Sequence, residues 1–376
     1  MAKTSFVANP ANIKVIGLGG GGCNAITRMV REEVQGVEFI AMNTDAQHLA
    51  ITEAPTRIQL GEKLTKGLGV GGDHVMGQKA AEESSDELKQ IVTGADMVFI
   101  TSGMGGGTGT GAAPVIAEIA KQGGALTIAV VTKPFTFEGS NRRQVAEQGI
   151  VRLLGKVDTL IIIPNDRLLD LCDQKTLVDS AFKLADDVLY HGVQAIAEVI
   201  TVPGMINLDF ADVKAVMKEA GPAWMSIGIG TGKDRAVNAA KEALASPLLD
   251  VSIEGSKGVL FNIVGGSSLT LFEVNEAAEI IKQAVDPDAN IIFGVAHDPT
   301  MDNEIRITLV ATGFTSKIGL PGANQEEELT QLLKNMKSEE ELDVPSFLRR
   351  PLFSHRRQAI TPTTKLVKTP LHAPTR

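Results

Sequence analysis

The chain has 376 residues, 43% of them hydrophobic and 22% charged, which is enough apolar material for two domains of ordinary size and too much for a wholly disordered chain. Its longest apolar stretches, such as residues 126–131, are far too short to cross a bilayer, the first residues lack the pattern of a secretory signal, and two cysteines, Cys23 and Cys172, exclude a disulfide framework. A soluble chain in a reducing, cytoplasmic setting is expected, and the formal charge of −9 argues against general nucleic-acid binding, which draws on clustered Lys and Arg.

In chain order, residues 13–16 read as a short strand, glycines crowd residues 17–22, and residues 24–30 place apolar side chains at helical spacing. Residues 39–42 form the next strand-like run. A second glycine group occupies 67–77, and a third, at 103–111, stands between a strand-like run (97–101) and a helical one (112–121). These three groups hold sixteen of the 38 glycines. Clustered glycine marks backbone that approaches a ligand closely or takes positive φ, and a strand, glycine turn and helix in succession aim free N–H groups and a helix dipole at one point, which suits a phosphate. Further strands at 125–132 and 160–164, with helices between, imply a mostly parallel, doubly wound sheet whose ligand lies at the carboxyl ends of the strands.

Residues 177–200 carry apolar side chains on nearly every face, among them Val178, Phe182, Ala185, Leu189, Ile196 and Val199, and predict a buried helix about 36 Å long. Asp209 stands where an N-cap would, ahead of a helical pattern ending near Gly221-Pro222, and Asp212 follows three residues later. Strand-like runs at 224–229, 258–264, 290–295 and 304–312 then alternate with helical ones at 236–245 and 272–285, a second α/β domain. The histidines are scattered, so no transition-metal site is expected. Beyond Phe314 comes a polar linker, and residues 344–376 hold seven Lys or Arg and no acid. The preceding residues, with 29 basic against 45 acidic side chains, therefore carry −16.

Two nucleotide-binding classes compete for the glycines. Gly17-x-Gly19-x-x-Gly22 followed by Asp45 fits a dinucleotide fingerprint, yet a dehydrogenase has no use for the second, longer turn at 105–111. No G-x-x-x-x-G-K-[S/T] is present, and Gly230-Thr231-Gly232-Lys233-Asp234 fails at both ends, so a triphosphate would be held without a P-loop lysine. The run GGGTGTG at 105–111 between strand and helix, with GLGGGGCNA at 17–25, NTDAQ at 43–47, TKPFTFEG at 132–139, PNDRL at 164–168 and NLDFADVK at 207–214, resembles the FtsZ family of tubulin-like division GTPases over about residues 13–314.

The resemblance implies a tubulin/FtsZ-like α/β fold, in which a Rossmann-like GTPase domain (1–176) is joined by a long central helix (177–201) to a smaller α/β domain with a mixed sheet (202–316), followed by a linker (317–341) and a tail (342–376). It implies GTP or GDP, with Mg²⁺ accompanying the nucleotide and no dedicated metal ligands. Gly20, Gly21 and Gly22 would face the α and β phosphates, Gly105, Gly106, Gly107, Thr108 and Gly109 the β and γ phosphates, and the loop around Gly71 would sense the γ phosphate. The family has a proline shortly after that loop where this chain has Asp73-His74-Val75. Cys23 replaces the Gly or Asn usual beside the first turn, and a small buried thiol accounts for it. Glu138 and Arg142, on their own an i, i+4 surface pair, sit at the ribose positions. Asp186, with Asn24 and Asn165 beside it, matches the carboxylate that accepts the N1–H and N2–H₂ donors of guanine. Asp209, Asp212 and Asn207 match the synergy loop that orients the attacking water in the next subunit of a head-to-tail homopolymer. The segment Asp343-Val344-Pro345-Ser346-Phe347-Leu348-Arg349-Arg350 resembles the peptide that binds membrane-tethering division proteins, with indirect membrane contact at a midcell ring and no specific nucleic acid. A polymerising GTP-binding scaffold without turnover is the alternative.

Overall fold

The computed structural model describes residues 11–172, 176–201, 209–246, 248 and 253–314. In its first half, strands β1 (Ile13–Leu18), β2 (Val37–Asn43), β3 (Thr56–Gln59), β4 (Met97–Gly103), β5 (Leu126–Lys133) and β6 (Thr159–Pro164) alternate with helices. These are α1 (Gly19–Arg31), α2 (Ala46–Ile51), α3 (Glu62–Thr65), α4 (His74–Glu83), α5 (Ser85–Val92), α6 (Thr108–Gln122), α7 (Ser140–Leu154) and the single turn α8 (Asn165–Leu168). Helix α9 (Val178–Thr201) leads to α10 (Phe210–Met217), β7 (Gly221–Thr231), α11 (Arg235–Leu244), β8 (Gly258–Gly265), α12 (Leu271–Gln283), β9 (Asn290–His297) and β10 (Glu304–Thr312).

The strands lie in the order β3-β2-β1-β4-β5-β6-β7-β10-β8-β9. All neighbours are parallel except β10, which runs antiparallel to both β7 and β8, so the sheet is mixed, as expected. Chain order reverses between β1 and β4. That reversal opens a crevice at the carboxyl ends of these two strands, and two of the glycine groups follow them directly.

All six residues of β1 are buried because helices cover both faces of the parallel strands. Val15, Phe99, Ile128 and Val130 face α1, α9 and α10, whereas Ile16, Ile100, Ala129 and Val131 face α4 to α7. A third cluster, with Phe261, Ile263, Ile307 and Leu309, is covered by α11 and α12.

Three elements differ from the sequence pattern for physical reasons. Helix α1 begins at Gly19, so the glycine turn is the first turn of the helix. Helix α10 ends at Met217 because the backbone turns left-handed at Glu219 (φ 52°) and Gly221 (φ 72°). Pro222, which marks a helix end in the sequence, stands in β7 at the point where that strand changes partners. Residues 221–223 pair only with β6 and residues 224–231 only with β10, so the proline's missing N–H breaks no ladder.

Candidate active site

The glycine groups meet at the β1/β4 crevice. A side-chain carbon on Gly19 would lie 3.0 Å from the amide of Gly109, one on Gly21 would lie 3.4 Å from the amide of Gly103, and Gly107 donates its N–H to the carbonyl of Gly71 at 2.9 Å. The hydroxyls of Thr44 and Thr108 are 2.7 Å apart in the buried floor between them. In the stretch Asp73-His74-Val75, Asp73 acts as an N-cap: its carboxylate accepts the amides of Val75 and Met76, each at 3.0 Å, and starts α4 at His74.

The glycines divide by what surrounds them. A Cβ on Gly22 would stand 2.5 Å from the carbonyl oxygen of Thr101, so this glycine lets α1 seat on β4, and its amide is committed to the helix. Gly77 on α4 would strike the carbonyl of Gly107 at 2.3 Å. Gly71, Gly72 and Gly106 open onto empty space, and Gly20 meets nothing nearer than the ring of His48 at 3.9 Å.

Accounting for backbone donors narrows the cradle. Helix α1 leaves the amides of Gly19, Gly20 and Gly21 without intrahelical acceptors, and α6 does the same for Thr108, Gly109 and Thr110. Gly105 gives its N–H to the hydroxyl of Thr110 at 2.8 Å, and Gly107 gives its own to Gly71. The expectation that every amide from Gly105 to Gly109 faces an anion is therefore corrected: two of them build the loop itself.

Beside the cradle, α1 and α9 enclose a cleft of about 280 Å³ lined by Asn24, Thr27 and Arg28 on one wall and Phe182, Asp186 and Asp187 on the other. Asp187 is held by Arg28, Nε to Oδ1 2.9 Å. Burial, then the charge of Asp187, push the Asp186 carboxyl up to about 7 against the pull of Arg28. Asn165 opens α8, and its side-chain oxygen is buried without a hydrogen-bond partner among the described residues, as an atom awaiting a ligand donor would be. Glu138 and Arg142 form their ion pair at 3.2 Å, but the other oxygen of Glu138 accepts the amide of Phe135 at 2.8 Å and fixes the turn. The side chain of Cys23 points into the core, its sulfur 3.8 Å from the carbonyl of Met42, and burial pushes the thiol up to about 11. No side-chain contact with a ligand is open to it.

Sequence reasoning missed three contributors. Phe182 reads as a core residue at helical spacing, yet it is 40% exposed at the cleft and stands edge-on to Phe135, with ring centroids 5.4 Å apart. Thr44 lies within the quoted NTDAQ without an assigned part. Arg28 looks like any exposed helical cation until its partner on α9 is known.

Asp209 and Asp212 lie elsewhere. Asp209 caps α10, accepting the amide of Ala211 at 3.3 Å, and both carboxylates are exposed. Helix α10 packs at the amino ends of the parallel strands: Lys214 and Lys218 share a hollow with Gly124, Ala125 and Leu126, where β5 begins, and the carbonyl of Met217 accepts the hydroxyl of Thr159 at the start of β6. Parallel strands of six residues, about 20 Å long, separate that end from the glycine turns. Helix α9 spans the same distance. It lines the cleft at Asp186 and ends at Thr201, whose hydroxyl donates to the carbonyl of Gln35 just before β2. Asn207 and the tail segment 343–350 lie outside the described residues.

Residues 12–173 match the model of the Tubulin/FtsZ family GTPase domain, and residues 221–315 that of the FtsZ family C-terminal domain. A solved structure of FtsZ from M. jannaschii, an empty dimer, is 47% identical with a TM-score of 0.80, covering 82% of this chain and 90% of that one. CetZ1 from Haloferax volcanii, a GDP-bound monomer, shares the fold at 20% identity and TM-score 0.71, covering 87% and 99%. CetZ2 from the same organism, a GTPγS-bound protofilament, does so at 17% and 0.68, covering 88% and 99%.

Proposed function

Because the chain belongs to the FtsZ family of tubulin-like GTPases, we propose that it is a polymerising GTPase of cell division whose catalytic site is completed by the next subunit of a head-to-tail filament. The nucleotide phosphates sit on the helix starts of α1 and α6, with Gly20, Gly21, Gly106, Thr108 and Gly109 around them, and Gly71 and Gly72 at the γ-phosphate end. Guanine enters the cleft between α1 and α9, where Asp186 accepts its N1–H and N2–H₂ and Asn165 gains a partner. Mg²⁺ comes with the phosphates and offsets their charge. Asp209 and Asp212 of the neighbouring subunit, with Asn207, orient and polarise the attacking water.

One observation carries this reading: the glycine turns and the helix that bears the exposed acids stand at opposite ends of parallel strands about 20 Å long, so no single chain joins them. A head-to-tail contact does, and a heterologous contact of that kind propagates as a filament. The apolar surface beside the γ-phosphate loop supports it, with Leu68 68% and Val75 49% exposed. So does the dimeric M. jannaschii protein. GTP favours assembly and hydrolysis loosens it, the tail segment 343–350 reaches membrane-tethering partners, and the filament works in a cytoplasmic ring at midcell.

Phosphate release measured together with light scattering tests the shared site. Turnover per chain rises with protein concentration above a threshold that coincides with the onset of scattering. Turnover that is constant per chain at every concentration would overturn the reading.

A further inference from the structure

Helix α9 carries two adjacent carboxylates, Asp186 and Asp187, and both line the cleft proposed for guanine. Two neighbouring acids make poor readers of one base edge: they repel each other, and each is partly withdrawn from water. Across the cleft on α1 stands Arg28, whose Nε lies 2.9 Å from Oδ1 of Asp187 and whose Nη2 lies 3.1 Å from Oε1 of Glu32. The planar guanidinium is thus held at two points on its rigid fork.

We propose that Arg28 is a positioning residue for base recognition: by clamping Asp187 it leaves Asp186 as the carboxylate presented to guanine, and it sets one positive charge beside the pair. The proposal rests on the reading of Asp186 as the guanine acceptor.

Several other charges near the pair have partners of their own, and His191, one turn along α9 and acted on by Arg28, is pushed down to about 4 by burial and stays neutral over the range tested. On α1, Arg31 is paired with Glu53 at 2.6 Å. On α9, Lys183 is paired with Asp179 at 2.7 Å. Helix α8, which packs on α9, brings Asp166, paired with Arg143 at 3.2 Å, and Arg167. Among the described residues, Arg28 is the cation paired with Asp187, and its charge also acts on Asp186. The electrostatics agree in sign. For Asp186, burial and Asp187 raise the carboxyl while Arg28 lowers it; for Asp187, burial raises it first, Arg28 opposes, and Glu32 adds to the rise. A protonated carboxyl loses one of the two acceptors that guanine's paired donors require, so one nearby cation decides how well the base is read near neutral pH.

The test measures equilibrium binding of GDP and of inosine diphosphate between pH 5.5 and 8.5. Inosine lacks the 2-amino group, and both nucleotides share the same phosphates, so the ratio of their dissociation constants isolates the contact to the base edge. In the wild type, the preference for GDP declines as pH falls through about 7. Arg28→Met moves that midpoint upward by about one pH unit, Arg28→Lys restores most of it, Asp187→Asn moves it downward, and the double variant Arg28→Met/Asp187→Asn returns toward wild type. A wild-type midpoint left in place by both Arg28→Met and Asp187→Asn overturns the role of Arg28. A ratio without pH dependence in the wild type, unchanged by Asp186→Asn, overturns the reading of Asp186 itself and the proposal with it.

Discussion

Gly107 donates its amide to the carbonyl of Gly71 at 2.9 Å, and through this bond the loop ahead of α4 is fastened to the start of α6. The two strands of backbone come so close that a Cβ on Gly107 would sit 2.5 Å from that same carbonyl oxygen. Gly106, one residue earlier, faces open space. The neighbouring glycines therefore answer to different demands. Gly107→Ala lowers the stability of the nucleotide-free protein by roughly 1–3 kcal/mol through overpacking. Gly106→Ala leaves the nucleotide-free melting temperature unchanged and weakens GTP binding. Thermal melts with and without GTP separate the two, and equal melting temperatures for both empty variants would show that the close approach is not a structural requirement.

Asp209 and Asp212 require variants that distinguish chemistry from folding. Asp209 caps α10 through the amide of Ala211, so Asp209→Ala removes a cap worth about 1 kcal/mol along with any catalytic charge. Asparagine caps as well as aspartate. Asp209→Asn and Asp212→Asn should fold, bind GTP and assemble, while turnover falls by about 10²-fold or more. Mixed with wild-type protein, Asp212→Asn should depress the turnover of the mixture beyond simple dilution, because each such chain disables the nucleotide of its neighbour. A mixture whose rate equals the sum of its parts would count against a shared site.

The turns after β1 and β4 were legible in the sequence because glycine, strand and helix follow one another within a dozen residues, and that alternation implies a parallel, doubly wound sheet without fixing the order of its strands. What each glycine does was not. Gly20 and Gly22 were both expected to face the phosphates, and only the packing of α1 on Thr101 shows that Gly22 serves the fold whereas Gly20 stands open. The engaged amides of Gly105 and Gly107 depend on Thr110 and Gly71, partners that local patterning does not select. Phe182 satisfies helical spacing for a core residue, and its exposure follows from where α8 and the turn at Phe135 leave the cleft open. Asp73 is the reverse case. The stretch Asp73-His74-Val75 looks like a departure from the family's pattern, but its acid starts a helix by accepting two free amides.

Cys23 should be chemically inert. Its thiol is buried, and desolvation pushes it up to about 11, so little thiolate exists at pH 8. Cys172 is partly exposed. Iodoacetamide at pH 8 should modify Cys172 in the native protein and both cysteines only after denaturation, as read by peptide mass spectrometry. Rapid native labelling of Cys23 would contradict its placement on the buried face of α1.

Asp186 should cost the empty protein stability at the pH where it serves recognition. Its carboxyl is raised from 3.8 to about 7 by burial first and by Asp187 second. The folded state thus binds a proton that the unfolded state has released between these values, and stability falls as pH rises through that window, staying low above it. Asp186→Asn removes the ionisable group and keeps the shape. Without nucleotide, the variant should be more stable than wild type at pH 8 by about 1–3 kcal/mol, and close to it at pH 4.5. The same variant should show a weaker preference for guanine over adenine nucleotides, since an amide offers one neutral oxygen where the carboxylate offers two charged ones. Chemical denaturation at the two pH values, paired with nucleotide competition, measures both effects. A variant no more stable at pH 8 than at pH 4.5 relative to wild type would show that burial does not hold the carboxyl up.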